Sequence, residues 1–179
     1  MRPLSKAFYL GPMMVGWLLF FVALSFLMVV FIMGRGSDRE LVPLLMLPAL
    51  LPAMLCSTIP MLVFMYKAWS SIQDASPRTG PLAAILLLFV PFYNLYWIFH
   101  AYWGWTKDFN RHASMHPGRI AHAPEGIAFA ICILILLSGI PFVGALFAMA
   151  NLVLALLFVN YGINSVNSLI EARAKAKLA

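Results

Sequence analysis

The chain has 179 residues, 63% of them hydrophobic and 10% charged, with a net charge of +6 at pH 7 and a mean hydropathy of +0.91. A soluble domain carries about a quarter charged residues, so the composition predicts an all-α, polytopic membrane helix bundle of four or five crossings, each needing about 20 apolar residues, with no soluble domain. Nucleic-acid binding is excluded as a reading, because the 12 Lys and Arg are spread over termini and connections, as juxtamembrane charges are.

The first apolar run, 12–33, is too long for the core of a signal peptide and lacks a small-residue cleavage site, so it reads as a retained span. It stops at Gly34 to Glu40, where four charges and two glycines resist entry into hydrocarbon. A second span, 41–66, contains Pro43, Pro48, Pro52 and Pro60; each removes a backbone donor, so this helix should bend or break unless neighbours satisfy the freed carbonyls. Helical spacing continues through Tyr66, Trp69 and Gln73 to Pro77, which predicts an interfacial extension and then a turn. A third span covers 81–103 and leads into the most polar stretch, 106–125. Beyond Gly126 the chain is apolar to about residue 160, punctuated only at Ser138-Gly139-Ile140-Pro141. Ser as a cap with Pro in the first turn predicts a hairpin between a fourth span, 126–139, and a fifth, 141–162. The alternative is four crossings with a re-entrant arm in 126–162, since fourteen residues rise only about 21 Å.

Five crossings place Arg2, Lys6, Lys67 and Arg78 on one side and Arg35, Arg39, Lys107, Arg111, Arg119, Arg173, Lys175 and Lys177 on the other. The excess of cations then puts the N-terminus outside and the C-terminus in the cytoplasm.

Chemistry-bearing motifs are absent: the sequence contains no GxxxxGK[ST], HExxH or GxSxG, and no acidic or basic residue in the middle of an expected span. Such intramembrane charges mark ion paths and proton relays, so the chain reads as neither a pump nor an enzyme. Cys56 and Cys132 both lie in apolar runs and form no disulfide or thiol motif. His112 and His116 are four apart with Met115 between them, a spacing that could gather imidazole and thioether ligands for copper. Pro117 disfavours helix at His116, and neither Asp108 nor His122 completes a coordination spacing, so a polar loop is the preferred reading and no cofactor is expected. His100 is the only histidine in a span. It sits about 28 Å along the helix from Pro81, at interface depth, where an amphipathic side chain needs no ligand; pigment, quinone or haem binding there is kept as an alternative. Asn94, Asn151 and Asn160 are read as hydrogen-bonding partners between helices.

Residues 89–105 read FVPFYNLYWIFHAYWGW. At about 100° per residue Phe92, Tyr96, Phe99 and Trp103 share one face, while Asn94, Ala101 and Gly104 lie opposite. The small and amide face suits packing within the bundle; the aromatic ridge then faces lipid or a partner subunit, and Tyr102, Trp103 and Trp105 belong to an interfacial belt.

The block from Tyr66 to Asn110 combines YKAWSSIQD, RTGP and VPFYNLYWIFHAYWGWTKDFN. It resembles a block of small uncharacterised bacterial multi-pass membrane proteins with a WxxIQD run, an RTxP turn, a PFxNxYW helix and a KDxN exit. That resemblance implies a bacterial inner-membrane location and a shared helical module, without an activity. With 81–103 as a crossing, Asp74 and Arg78 lie on one membrane face and Lys107, Asp108 and Asn110 on the other, so these charges are expected as separate rim caps, with Asp74 and Arg78 as a local pair. The sequence thus suggests a structural or accessory subunit whose partners are the bilayer and other membrane subunits. A passive carrier or channel for lipid or another small apolar molecule is the alternative.

Overall fold

The computed structural model describes residues 2–33, 38–115, 120–140 and 143–178; His116, Arg119, Pro141 and the connection at Gly34 to Gly36 lie outside them. The described residues are all-helical, as expected: α1 (Lys6–Met33), α2 (Asp38–Ser70), α3 (Pro81–Leu86), α4 (Tyr93–Ile98), α5 (Gly104–Ser114), α6 (Glu125–Leu137) and α7 (Gly144–Ala176). Three stretches, Lys6–Val30, Leu50–Ser70 and Gly144–Ala176, are long and apolar enough to cross a membrane. This is a helical membrane protein.

Within the chain two compact units form, residues 7–61 and residues 1–6 with 62–179. In the smaller unit α2 remains helical past its prolines, so the expected break is not seen. Its backbone lies close against α1 at Gly16, where a Cβ would come within 2.7 Å of Ala53 O and Ser57 N. Only glycine admits that approach, a small-residue packing common between membrane helices.

The larger unit is built on an aromatic core. Phe64 at the end of α2, Trp105 of α5 and Phe158 of α7 meet edge to face, with centroids 6.0, 5.9 and 5.7 Å apart, the arrangement ring quadrupoles favour. Tyr102 and Phe109 extend the cluster. Gly162 makes room for it, since a Cβ there would fall 2.5 Å from Phe64 Cζ.

The stretch expected as a third span, 81–103, is not one continuous helix. Helix α3 tightens into a 3-10 turn at Leu87–Phe89 and the chain stops being helical at Val90 to Phe92. Pro91 cannot donate and disfavours helix at Val90, and Phe92 takes a positive φ of 61°. The chain then reverses into α4, a π-helical turn at Phe99–Trp103 and α5. Trp97 Nε1 donates back to Ala84 O at 3.1 Å, locking the two arms together. The apolar part of the returning arm, twelve residues from Tyr93 to Gly104, rises about 18 Å, and the helical run continues through the polar α5 to Ser114.

Helix α6 has 13 residues and packs beside the hairpin, its Cys132 Sγ 3.5 Å from Ile98 O. Ser138, expected to cap the following helix, instead ends α6, its hydroxyl donating to Leu134 O at 2.6 Å; α7 begins at Gly144. Near the other end of α7, Leu4 N donates to Asn167 Oδ1 at 2.7 Å and Asn167 Nδ2 to Leu4 O at 2.9 Å. The N-terminal segment therefore lies on the C-terminal third of α7.

Candidate functional site

The hairpin's reversal carries its two roots to one place. Arg78, just before α3, forks onto Asp108 of α5: Nη2 to Oδ1 at 2.7 Å, Nε to Oδ2 at 3.0 Å, and the Arg78 backbone N–H to Oδ2 at 3.1 Å. Arg111 approaches the same carboxylate at 3.5 Å. The Asp108 side chain is only 3% exposed. Burial pushes its carboxyl up, but the side-chain and backbone hydrogen bonds and the charge of Arg78, with the charge of Arg111, outweigh that and hold it below the ordinary Asp value. Reciprocally, the hydrogen bond to Asp108 raises Arg78. A buried carboxylate that accepts three hydrogen bonds from one arginine and faces a second suits an anchor, because its charge is already matched.

A second guanidinium, Arg173 of α7, joins three more segments. It donates from Nη1 to Ser71 O at 2.9 Å, from Nη2 to both Asp74 carboxylate oxygens at 2.7 and 2.8 Å, and from Nη2 to His112 Nε2 at 3.0 Å. Arginine has no acceptor, so His112 must present Nε2 as the acceptor. The expectation that Asp74 and Arg78 pair locally, apart from Lys107, Asp108 and Asn110 across the membrane, is overturned: Asp74 pairs with Arg173, Arg78 with Asp108, and all lie on one rim. The cause is the reversal at Val90 to Phe92, which returns the chain to the side it left.

The rest of the block reinforces this rim. Trp69 Nε1 donates to Ala101 O at 3.1 Å and Gln73 Nε2 to Trp69 O and Thr79 O. Lys107 Nζ sits 3.5 Å above the Trp103 ring, a cation–π contact. Asn110 donates to Ala123 O and Glu125 Oε1 and accepts from Ala123 N at 2.6 Å, so its amide stands in for a strand partner of the connection into α6. Ser165 and Ser168 of α7 hold the same connection through His122 O and Ala121 N.

The aromatic ridge divides. Phe92 is 88% and Tyr96 61% exposed, the outward direction expected of them, whereas Phe99 and Trp103 turn against Phe129 of α6 at 6.1 and 5.1 Å. Between these lies a column of rings: Tyr93 stacks on Trp97 at 5.5 Å and Trp97 on His100 at 4.5 Å. On the opposite face Ala101 and Gly104 are buried, the latter against the Arg78 side chain. Asn94 is half-buried, its N–H donating to Val90 O. In α7 Asn160 is half-buried and the Oδ1 of Asn151 is buried without a hydrogen-bond donor. Among the described residues no three His, Cys, Asp or Glu side chains converge as metal ligands.

Sequence reading missed Arg173, Asn167, Ser165 and Ser168. Each acts on a residue more than 40 positions away, and no local spacing signals such a pairing. No protein-family model, curated protein or solved structure matches this chain.

Proposed function

We propose that this is a non-catalytic, multi-pass protein of the bacterial inner membrane that serves as an accessory subunit, docking on a larger membrane complex through the outer face of its α3–α4 hairpin. The observation that supports this most directly is the contrast within one hairpin. Trp97, Phe99, Trp103 and Trp105 are packed against rings of the same chain, whereas Phe92, with no ring neighbour among the described residues, and Tyr96, touching only Tyr93 and His100 at its edge, stay 88% and 61% exposed on an arm held by Trp97 to Ala84 and by Arg78 to Asp108. Preorganised aromatic side chains are what a partner's helix binds at low entropic cost. The paired Asp108 and the engaged His112 favour a structural role for the polar rim over an acid–base one.

The test is a photo-crosslinking residue placed at position 92 or 96 in native membranes. A discrete protein adduct at these positions, and none from a probe at the buried Ile98, is the expected outcome. Adducts to lipid alone at both positions would reject the docking role in favour of a lipid-facing one.

A further inference from the structure

We propose that the α3–α5 hairpin is a re-entrant insert: it enters from the rim that carries both chain termini, ends inside the hydrocarbon, and makes the protein concentrate on membrane that is convex on that side. This goes beyond the docking role, since it concerns what the hairpin does to the bilayer and needs no partner.

Three observations combine. The roots are tied at the rim by Arg78 and Asp108, and the helical arm from Tyr93 down to Asp108 is about 24 Å long against about 30 Å of hydrocarbon. The tip, Leu86-Leu87-Leu88-Phe89-Val90-Pro91-Phe92, has no polar side chain, and around it Phe89, Phe92 and Leu95 are more than half exposed, so water cannot be its surroundings. Most telling is the backbone. A reversal inside hydrocarbon must satisfy its own polar groups. Here Val90 N donates to Leu87 O, Tyr93 N to Pro91 O, Asn94 N to Val90 O and Leu95 N to Phe92 O, while Pro91 has no N–H to satisfy; among the described backbone hydrogen bonds of the turn, the Phe92 N–H alone is without an acceptor.

The consequence is geometric. The hairpin displaces more lipid from the near leaflet than from the far one, and lipids beneath its tip must thin or tilt. Expanding one leaflet relative to the other is relieved by bending the membrane towards that leaflet.

Two measurements on the purified full-length chain test this, neither involving a partner, so failure here is separable from failure of the docking role. First, a nitroxide on Phe92→Cys in a background of Cys56→Ser and Cys132→Ala, in phosphatidylcholine and phosphatidylglycerol vesicles, should relax with oxygen but not with a water-soluble nickel complex applied from either side. Relaxation by nickel from the face opposite the termini would mean full crossing and overturn the proposal. Second, fluorescent protein reconstituted in giant vesicles should be enriched about twofold in narrow drawn tubes when its termini face outward, and depleted when they face the lumen, in line with the modest energies of bilayer mismatch. Equal densities in tube and parent vesicle in both orientations would overturn it.

Discussion

Asp108 is the residue on which the rim turns, and its environment fixes the sign of its pH dependence. Asp108→Asn keeps the shape but deprives Arg78 of its carboxylate. Hydrogen bonds to charged groups are worth about 1.5–3 kcal/mol, and the 39% exposure of Arg78 lets water recover part of that. We expect a net loss of about 2 kcal/mol, read as a lower thermal midpoint in detergent. Because the folded carboxyl titrates below its ordinary value, the stability it confers is complete above the unfolded value of about 3.9 and drains away as pH falls through the folded value. The wild type should therefore lose stability on acidification below about pH 4, and the Asn variant should show a flatter profile over that range. Gly162 gives a second expectation at this scale. Gly162→Ala gains about 1 kcal/mol of helix propensity but drives a Cβ into Phe64, whose ring is pinned by Trp105 and Phe158. Overpacking costs about 1–3 kcal/mol, so the variant should be the less stable one, whereas Gly126→Ala, with open space around it, should be neutral or gain up to about 1 kcal/mol. The sequence offers both glycines as equals; only the ring opposite Gly162 separates them.

At the scale of elements, the helices and their apolar character were readable from composition and periodicity, and the reversal at Val90 to Phe92 was not. The run from Pro81 to Trp103, apolar apart from Asn94, His100 and its tyrosines, is long enough to cross, and the hydrogen bonds that fold it back, Trp97 to Ala84 and Arg78 to Asp108, join residues 13 and 30 apart. Pro91 was the available local sign, but four prolines in α2 are absorbed within a helix, so a proline alone does not decide. What distinguishes Pro91 is the residue after it. Phe92 adopts φ 61°, a region that costs a bulky residue about 1–3 kcal/mol. Retaining a strained phenylalanine that is 88% exposed makes sense where the ring itself is used. Phe92→Gly should relieve the strain, less about 0.5–1 kcal/mol for the added freedom of the unfolded chain. The expected result is a thermal midpoint in detergent equal to or about 2–4 °C above wild type, together with loss of the protein adduct formed by a probe at position 96. A clear drop in midpoint would show that the ring holds the hairpin together and is not reserved for a neighbour.

At the scale of the whole molecule, folding 81–103 back on itself changes how the charges are counted. Crossing there split the cations eight to four and put the termini on opposite sides. With the reversal, and with Leu4 bound to Asn167, the basic residues Arg2, Lys6, Lys67, Arg78, Lys107, Arg111, Arg173, Lys175 and Lys177 all belong to the larger unit's rim and termini. Helix α1 leaves Lys6 and has 28 residues, enough to cross, so Arg35 and Arg39 are expected on the far side. Nine cations against two is a much steeper bias than eight against four, and cytoplasmic connections carry the excess of Lys and Arg. We therefore expect both termini in the cytoplasm and the 34–37 connection outside. Alkaline phosphatase, active only outside the cytoplasm, should be inactive when fused before Met1 or after Ala179 and active when inserted at Gly36. An active fusion at one terminus alone would contradict the pairing of Leu4 with Asn167. Activity at both termini would leave that pairing in place and reverse the orientation, so that the hairpin enters from the outer leaflet.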